Sequence, residues 1–426
     1  MTPILAPTRD QLLELAKQYQ LVRQTTVKIC EPLTPEEVMI QSMPDVSPPK
    51  WHLAHTSWFF ETFVLQRFEK NYQPYHPQFH YLYNSYYNSL GQYHAKSQRG
   101  FVTRPTLAEI MSYRNNIDQR ITQLIDTPEQ NELSSISELI ELGIHHEQQH
   151  QELMLMDIKA NFFANPLYPS YLPPEQPPAH LAVEAEVKWL PVAAGISSIG
   201  ADGQSFCYDN EKPRHRVFVE EVALADRLIT NSEYLAFIDD GGYTRPELWL
   251  SEGWQIIQEK GWQHPLYWVK QDGKWFEFTL SGLGHLLAQY PVCHISLFEA
   301  DAFARWRGLR LPFEEEWETA AQTEPIAGNF MEDQFYHPKP HRASPSQTQL
   351  LGDLWEWTLS SYTPYPGFKL PTGAIGEYNG KFMCNQYVLR GGACVTSRSH
   401  IRHTYRNYFP AKSRWQFSGI RLAKER

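Results

Sequence analysis

Between Asn165 and Pro178 the chain reads NPLYPSYLPPEQPP. Neither a helix nor a central strand tolerates proline at that density, because each proline removes a backbone donor and fixes φ. The run separates two textures. Before it, apolar residues recur at helical spacing; after it, short apolar stretches are broken by Gly, Pro, Asn and Asp, as in a loop-rich mixture of strands and helices. At 426 residues the chain is also too long for one ordinary core. The sequence is therefore read as a helical bundle over residues 1–164, a Pro-rich linker over 165–185 and an α+β domain over 186–426.

Four amphipathic segments predict the bundle. Leu12, Leu13, Ala16, Tyr19 and Val22 mark the first, and Trp51, His55, Trp58, Phe59 and Leu65 the second, whose stripe Thr62 interrupts. A T-x-x-E capping box, Thr106 to Glu109, opens a third helix that runs to Ile125. The fourth and longest runs from about Ser135 to Phe163, with Leu139, Gly143, His146, His150, Leu153 and Asp157 on one face. The connection from Phe68 to Pro105 is too long for a turn, and its Tyr, Asn and His content suits a site better than a linker.

Within the fourth helix, HHEQQHQE sets His146 and His150 four residues apart, one turn from each other and facing the same way. A single buried histidine is ordinarily a satisfied core residue. His55, however, lies on the inward stripe of a different helix among Trp and Phe, where an imidazole with nothing to bind is costly to bury. Three inward histidines in one bundle favour a metal site; His52 and His145 are the neighbouring alternatives, each off the stripe its neighbour occupies. Three imidazoles leave coordination positions open for substrate, on zinc or on iron(II), and spacing does not choose between the two.

Composition narrows the partners. The net charge of −10 argues against nucleic acid and anionic membrane, and no stretch reaches the roughly 18 apolar residues that span a bilayer. The start, Met1 to Lys17, is neither a signal peptide nor a transit peptide. Five scattered cysteines, Cys30, Cys207, Cys293, Cys384 and Cys394, make neither a disulfide framework nor a CxxC zinc ribbon, so a reducing cytoplasm is expected.

The pattern W-H-L-A-H at Trp51 to His55, followed by H-E-Q-Q-H at His146 to His150, resembles the DinB-like iron domain of the ergothioneine-pathway sulfoxide synthases. In the second half, F-x-Y-D-N-E-x-P from Phe206, G-G-Y from Gly241, L-P-F-E-E-E-W-E from Leu311, D-L-W-E-W-T from Asp353 and L-R-G-G from Leu389 are similar to the formylglycine-generating-enzyme fold, a C-type-lectin-like scaffold. The resemblance covers nearly the whole chain. It implies an iron(II) enzyme that uses O2 to join hercynine, Nα-trimethylhistidine, to cysteine or γ-glutamylcysteine as a sulfoxide.

Carried over by position, it makes His55, His146 and His150 the iron ligands, and it sets Gln149 near the trimethylammonium group. R-N-Y-F-P from Arg406 resembles the family loop that reaches the iron cleft, with Asn407 hydrogen-bonding substrate and Tyr408 and Phe409 offering aromatic faces to the quaternary ammonium. Tyr378 resembles a substrate-contacting tyrosine, but Ile375 stands where some members carry a catalytic phenol; Tyr86 and Tyr87 resemble the tyrosine pair of another branch, which goes with cysteine. Arg99 and Arg104 are the candidates for gripping the thiol's carboxylate. The rivals are a zinc-dependent DinB-like thiol transferase, an ovothiol-type synthase acting on histidine, a copper-dependent formylglycine-generating oxidase and a lectin-like binding module. The sequence leaves the oligomeric state open.

Overall fold

The computed structural model describes residues 7–126, 132–173, 186–341 and 348–425. They form two compact units, Met1–Leu167 and Tyr168–Arg426. Of the Pro-rich run, residues 174–185 lie outside the described residues, as does the very start of the chain.

The first unit is a bundle of α1 (Arg9–Cys30), α2 (Pro49–Phe60), α3 (Leu107–Asp126) and α4 (Leu133–Phe163). Thr8 and Gln11 close a capping box on α1, and Thr106 and Glu109 do the same ahead of α3. Pro49 starts α2 at its first turn, where its missing N–H costs nothing. Every residue of α2 is buried; it packs against α1, α3 and α4 and so has no polar face. Its continuation is a π-helical turn, Glu61–Leu65, in place of the regular helix that the sequence suggests. The turn aims the buried Glu61 at the Tyr75 N–H, 2.8 Å away, and at the Tyr113 hydroxyl. Gly143 on α4 lets α2 come close: a Cβ there would lie 2.3 Å from the Phe60 ring.

The face of α4 next to its histidines is tied by charge. Glu147 is fully buried, accepting from Arg23 of α1 at 2.9 Å, from Thr26 at 2.5 Å and from Arg114 of α3. Gln151 adds a bond to Val22 O at 2.9 Å. Burial works to raise the Glu147 carboxyl, but Arg114 and Arg23 outweigh it and hold it down at about 2.

The second unit is built from short strands and helices. Three-stranded sheets run β1-β4-β12 (Trp189–Val192, Val222–Ala225, Ala423–Glu425) and β5-β6-β7 (Trp268–Gln271, Lys274–Thr279, Gly282–His285). A four-stranded sheet runs β10-β9-β8-β11 (Asn407–Phe409, Tyr387–Arg390, Trp355–Ser361, Ser418–Gly419), and β2 pairs with β3 (Gly195–Ile199, His215–Val219). Among the described residues, only β11 against β8 is parallel.

The sequence motifs of this half are its charge lattice. In the helix Glu314–Ala321, Glu314 takes Arg406 in two bonds of 2.9 Å, Glu316 takes Arg310 at 2.7 and 2.8 Å, and Glu318 takes Arg390. Glu356 of β8 takes both Arg421, in two bonds of 2.6 Å, and the Trp317 indole at 2.7 Å. Gly391 follows Arg390 at φ 100°, and a Cβ on it would lie 2.8 Å from Leu350 O, so both conformation and space call for glycine.

Candidate metal centre

Helices α2 and α4 bring His55, His146 and His150 together, each with one ring nitrogen within 4.8 Å of the other two. His55 and His146 face one another through Nε2 at 3.2 Å. Two ligands on one ion with metal–nitrogen bonds of about 2.1 Å stand roughly 3.0–3.4 Å apart, so this spacing fits a shared cation.

The ring orientations are fixed from behind. His55 Nδ1 donates to the Tyr83 carbonyl at 2.6 Å, which leaves the Nε2 lone pair for a metal. The His55 ring lies flat on Trp51, 4.5 Å between centroids and 10° between planes, with Trp58 at 5.4 Å. His146 stacks on Phe59 at 4.1 Å. His150 Nδ1 meets His52 Nδ1 at 2.8 Å, and His52 Nε2 meets Asp157 Oδ2 at 3.0 Å.

Electrostatics keep the three rings neutral. Burial pushes all three imidazoles well below the ordinary histidine value, and each is pushed further by a neighbouring histidine: His150 acts on His55, His55 on His146, and His146 on His150. A neutral imidazole is the metal-binding form. The donor set therefore fits an ion that accepts three nitrogens and keeps positions open.

The other sequence-predicted residues divide by unit. Tyr87 is buried, stacked on Tyr86 at 4.7 Å and packed on Trp58 at 5.7 Å, the indole that lies on His55. Asn84 pins its backbone with bonds of 3.0 and 3.1 Å. Arg99 is buried, its guanidinium 3.4 Å from the centre of the Trp51 ring and donating to Ser47 Oγ at 2.9 Å. Burial pushes Arg99 down to about 9, against the pull of Asp157. Arg104 is exposed, with Lys50 and Glu109 as its charged neighbours. Gln149 is half-buried on α4.

In the second unit, Tyr378 is buried and stacked on Tyr208 at 5.4 Å. Tyr408 lies between Tyr362, at 4.0 Å, and Phe382, at 6.0 Å, and donates to Asn379 Oδ1 at 3.2 Å. Phe409 meets the edge of Trp415. The Asn407 side chain accepts from the Tyr408 N–H at 2.9 Å, and Ile375 is half-buried in a short 3-10 turn.

Sequence reasoning weighed His52 only as an alternative ligand and assigned no role to Lys96, whose charge acts on His150 together with that of Arg99. The available signal was the pair of histidines three residues apart in W-H-L-A-H, with Asp157 seven residues beyond His150.

Residues 18–154 match the DinB superfamily, and residues 179–346 and 341–426 match the sulfatase-modifying factor enzyme 1-like domain. The chain is 30% identical to hercynine oxygenase of Mycolicibacterium smegmatis, over 96% of this chain and 98% of that protein. The chain belongs to the hercynine oxygenase family. Hercynine oxygenase of Mycobacterium tuberculosis is also 30% identical, over 96% of this chain and 98% of the relative. Ergothioneine biosynthesis protein 1 of Schizosaccharomyces pombe is 26% identical, over 55% of this chain and 31% of its own length.

Membership makes the chain an enzyme of the ergothioneine pathway, an EgtB-type sulfoxide synthase with a DinB-like helical domain ahead of a sulfatase-modifying domain. None of the five cysteines forms a disulfide: Cys394 is buried and Cys384 exposed. Among the described residues, no helix is long and apolar enough to cross a membrane.

Proposed function

We propose that the chain couples hercynine to cysteine or γ-glutamylcysteine in an iron(II)- and O2-dependent reaction that forms a carbon–sulfur bond and a sulfoxide, with His55, His146 and His150 holding the metal. The carrying observation is the convergence of three buried, neutral imidazoles, with His55 turned by a backbone carbonyl so that Nε2 is its free donor. Iron(II) there would supply open positions for the thiolate and dioxygen and the reducing electrons that oxygen chemistry needs.

The chain's own residues supply placement and protons. Arg99, with Lys96 beside it, gives the carboxylate of the thiol substrate a positive anchor in a buried setting, where such a bond is strong; Arg104 is the second, solvent-facing candidate. Gln149 orients hercynine from α4. Asn407, Tyr408, Phe409 and Tyr378 are its candidate contacts from the C-terminal half. The Tyr87 hydroxyl, or that of Tyr86 stacked on it, delivers the proton that steers oxidation toward the sulfoxide and away from simple thiol dioxygenation. Tyr87 serves this role well because Asn84 and Trp58 restrain it.

The test is anaerobic loading with iron(II), then exposure to air with hercynine and each thiol in turn, following oxygen uptake and product. A sulfoxide formed with oxygen consumption supports the reading. Full activity of protein stripped of iron, or turnover by a zinc form without oxygen, overturns it in favour of a thiol transferase; turnover of histidine in preference to hercynine selects the ovothiol-type activity.

A further inference from the structure

We infer that His52 and Asp157 form a relay that sets the tautomer and ring orientation of His150, making both of them positioning residues of the metal centre. The inference rests on the metal-centre reading above and adds two residues to it.

The argument follows the protons. A carboxylate accepts, so His52 Nε2 donates to Asp157 Oδ2 across 3.0 Å. A neutral His52 protonated at Nε2 has a lone pair at Nδ1, and the partner 2.8 Å from that lone pair is His150 Nδ1. His150 therefore donates from Nδ1, which leaves its Nε2 as the nitrogen with a free lone pair. One acceptor at the end of the line fixes the state of two imidazoles.

That end is itself held in place. The Ser47 N–H donates to the same Asp157 oxygen at 2.8 Å, and Asp157 is carried on α4, the helix that bears His150. All three relay side chains are buried, so water does not compete for the bonds. The neighbouring ligand is fixed differently: His55 relies on the neutral Tyr83 carbonyl. A relay ending in a carboxylate makes His150 the more electron-rich donor of the two. An ordinary tie between α2 and α4 would need only one such bond and would not require His150 to take part.

The test measures binding of iron(II), and of cobalt(II) with its visible d–d spectrum, to the full chain under anaerobic conditions by chelator competition. Wild type, His55→Ala, His52→Phe, Asp157→Leu and the double variant are compared, together with the melting temperature of each metal-free protein. His52→Phe keeps the ring volume and deletes the relay; metal affinity is expected to fall about 10–100-fold and the cobalt spectrum to shift, with the metal-free melting temperature moving little.

Asp157→Leu should match His52→Phe, and the double variant should be no worse than either. Asp157→Asn, which keeps an acceptor oxygen, should recover most of the affinity. Unchanged affinity and spectrum in His52→Phe, or additive losses in the double variant, overturn the relay. If His52→Phe does not fold, His52→Gln against Asp157→Asn decides: both retaining a wild-type cobalt spectrum better than Asp157→Leu supports the relay, and no difference among the three overturns it. Failure of the underlying reading is distinct, since wild type would then bind neither metal or His55→Ala would bind as tightly as wild type.

Discussion

The three-histidine centre of the helical unit and the Arg–Glu pairs of the C-terminal unit bury polar side chains in opposite ways. In the first, three imidazoles turn ring nitrogens toward one another, and burial keeps them uncharged. In the second, Arg390, Arg406 and Arg421 are as deeply buried, and each is locked to a glutamate. Both arrangements cost desolvation. In the C-terminal unit, as at Glu147 with Arg23 and Arg114 in the helical one, the chain itself supplies the compensating charge, whereas the three converging imidazoles suit compensation by an ion, as proposed above. A cluster of buried donors whose lone pairs converge is therefore a binding site, and a cluster of matched charges is a framework.

The largest effect that could break this contrast comes from the ligands. His55→Ala or His146→Ala should abolish turnover and weaken iron binding more than about 100-fold, beyond the range expected for residues behind the ligands. The metal-free melting temperature should stay near wild type, because no internal charge is orphaned. A steep drop in that temperature with metal affinity intact would make the histidines framework residues.

The converse holds for Arg421→Met. It leaves Glu356 buried with the Trp317 indole but without its charged partner and should cost about 3–5 kcal/mol in denaturant unfolding, while the folded fraction binds iron normally. Loss of metal affinity in that folded fraction would break the separation of roles.

Gly143→Ala sharpens the comparison between helix spacing and ligand geometry. The added methyl meets the Phe60 ring, so overpacking should cost about 1–3 kcal/mol. The spacing between α2 and α4 should change enough to weaken metal binding as well. Thr106→Ala is the smallest change: removing the cap of α3, which carries no ligand, should cost about 1 kcal/mol and leave metal affinity unaltered in a chelator titration.

Much of the helical half was legible from spacing. The fourth helix and the shared face of His146 and His150 follow from the 3.6-residue repeat, and the start of α3 follows from Thr106 and Glu109. Helix α2 was harder to read. It is buried all round, so periodicity carries no information about which side faces what, and both His52 and His55 are inside. The π-helical turn after Phe60 was equally hidden, because it depends on Glu61 finding Tyr113 and Tyr75 from distant parts of the chain. In the C-terminal half the motifs could be matched to a family, but their physical role as Arg–Glu pairs joins residues as far apart as Glu314 and Arg406, and no local pattern reveals such a partnership.

The sequence alone determined that two differently built halves meet at a proline-dense run, that one helix carries two histidines on a common face, and which family's motifs the chain bears. Tertiary structure decided which histidine of W-H-L-A-H turns its Nε2 toward that pair and which stands behind His150, and that Glu147, one residue from a proposed ligand, is taken up by Arg23 and Arg114 instead. The physical reason is that helical spacing fixes direction only relative to the helix's own axis. What lies in that direction is set by the packing of other helices, and that is long-range information.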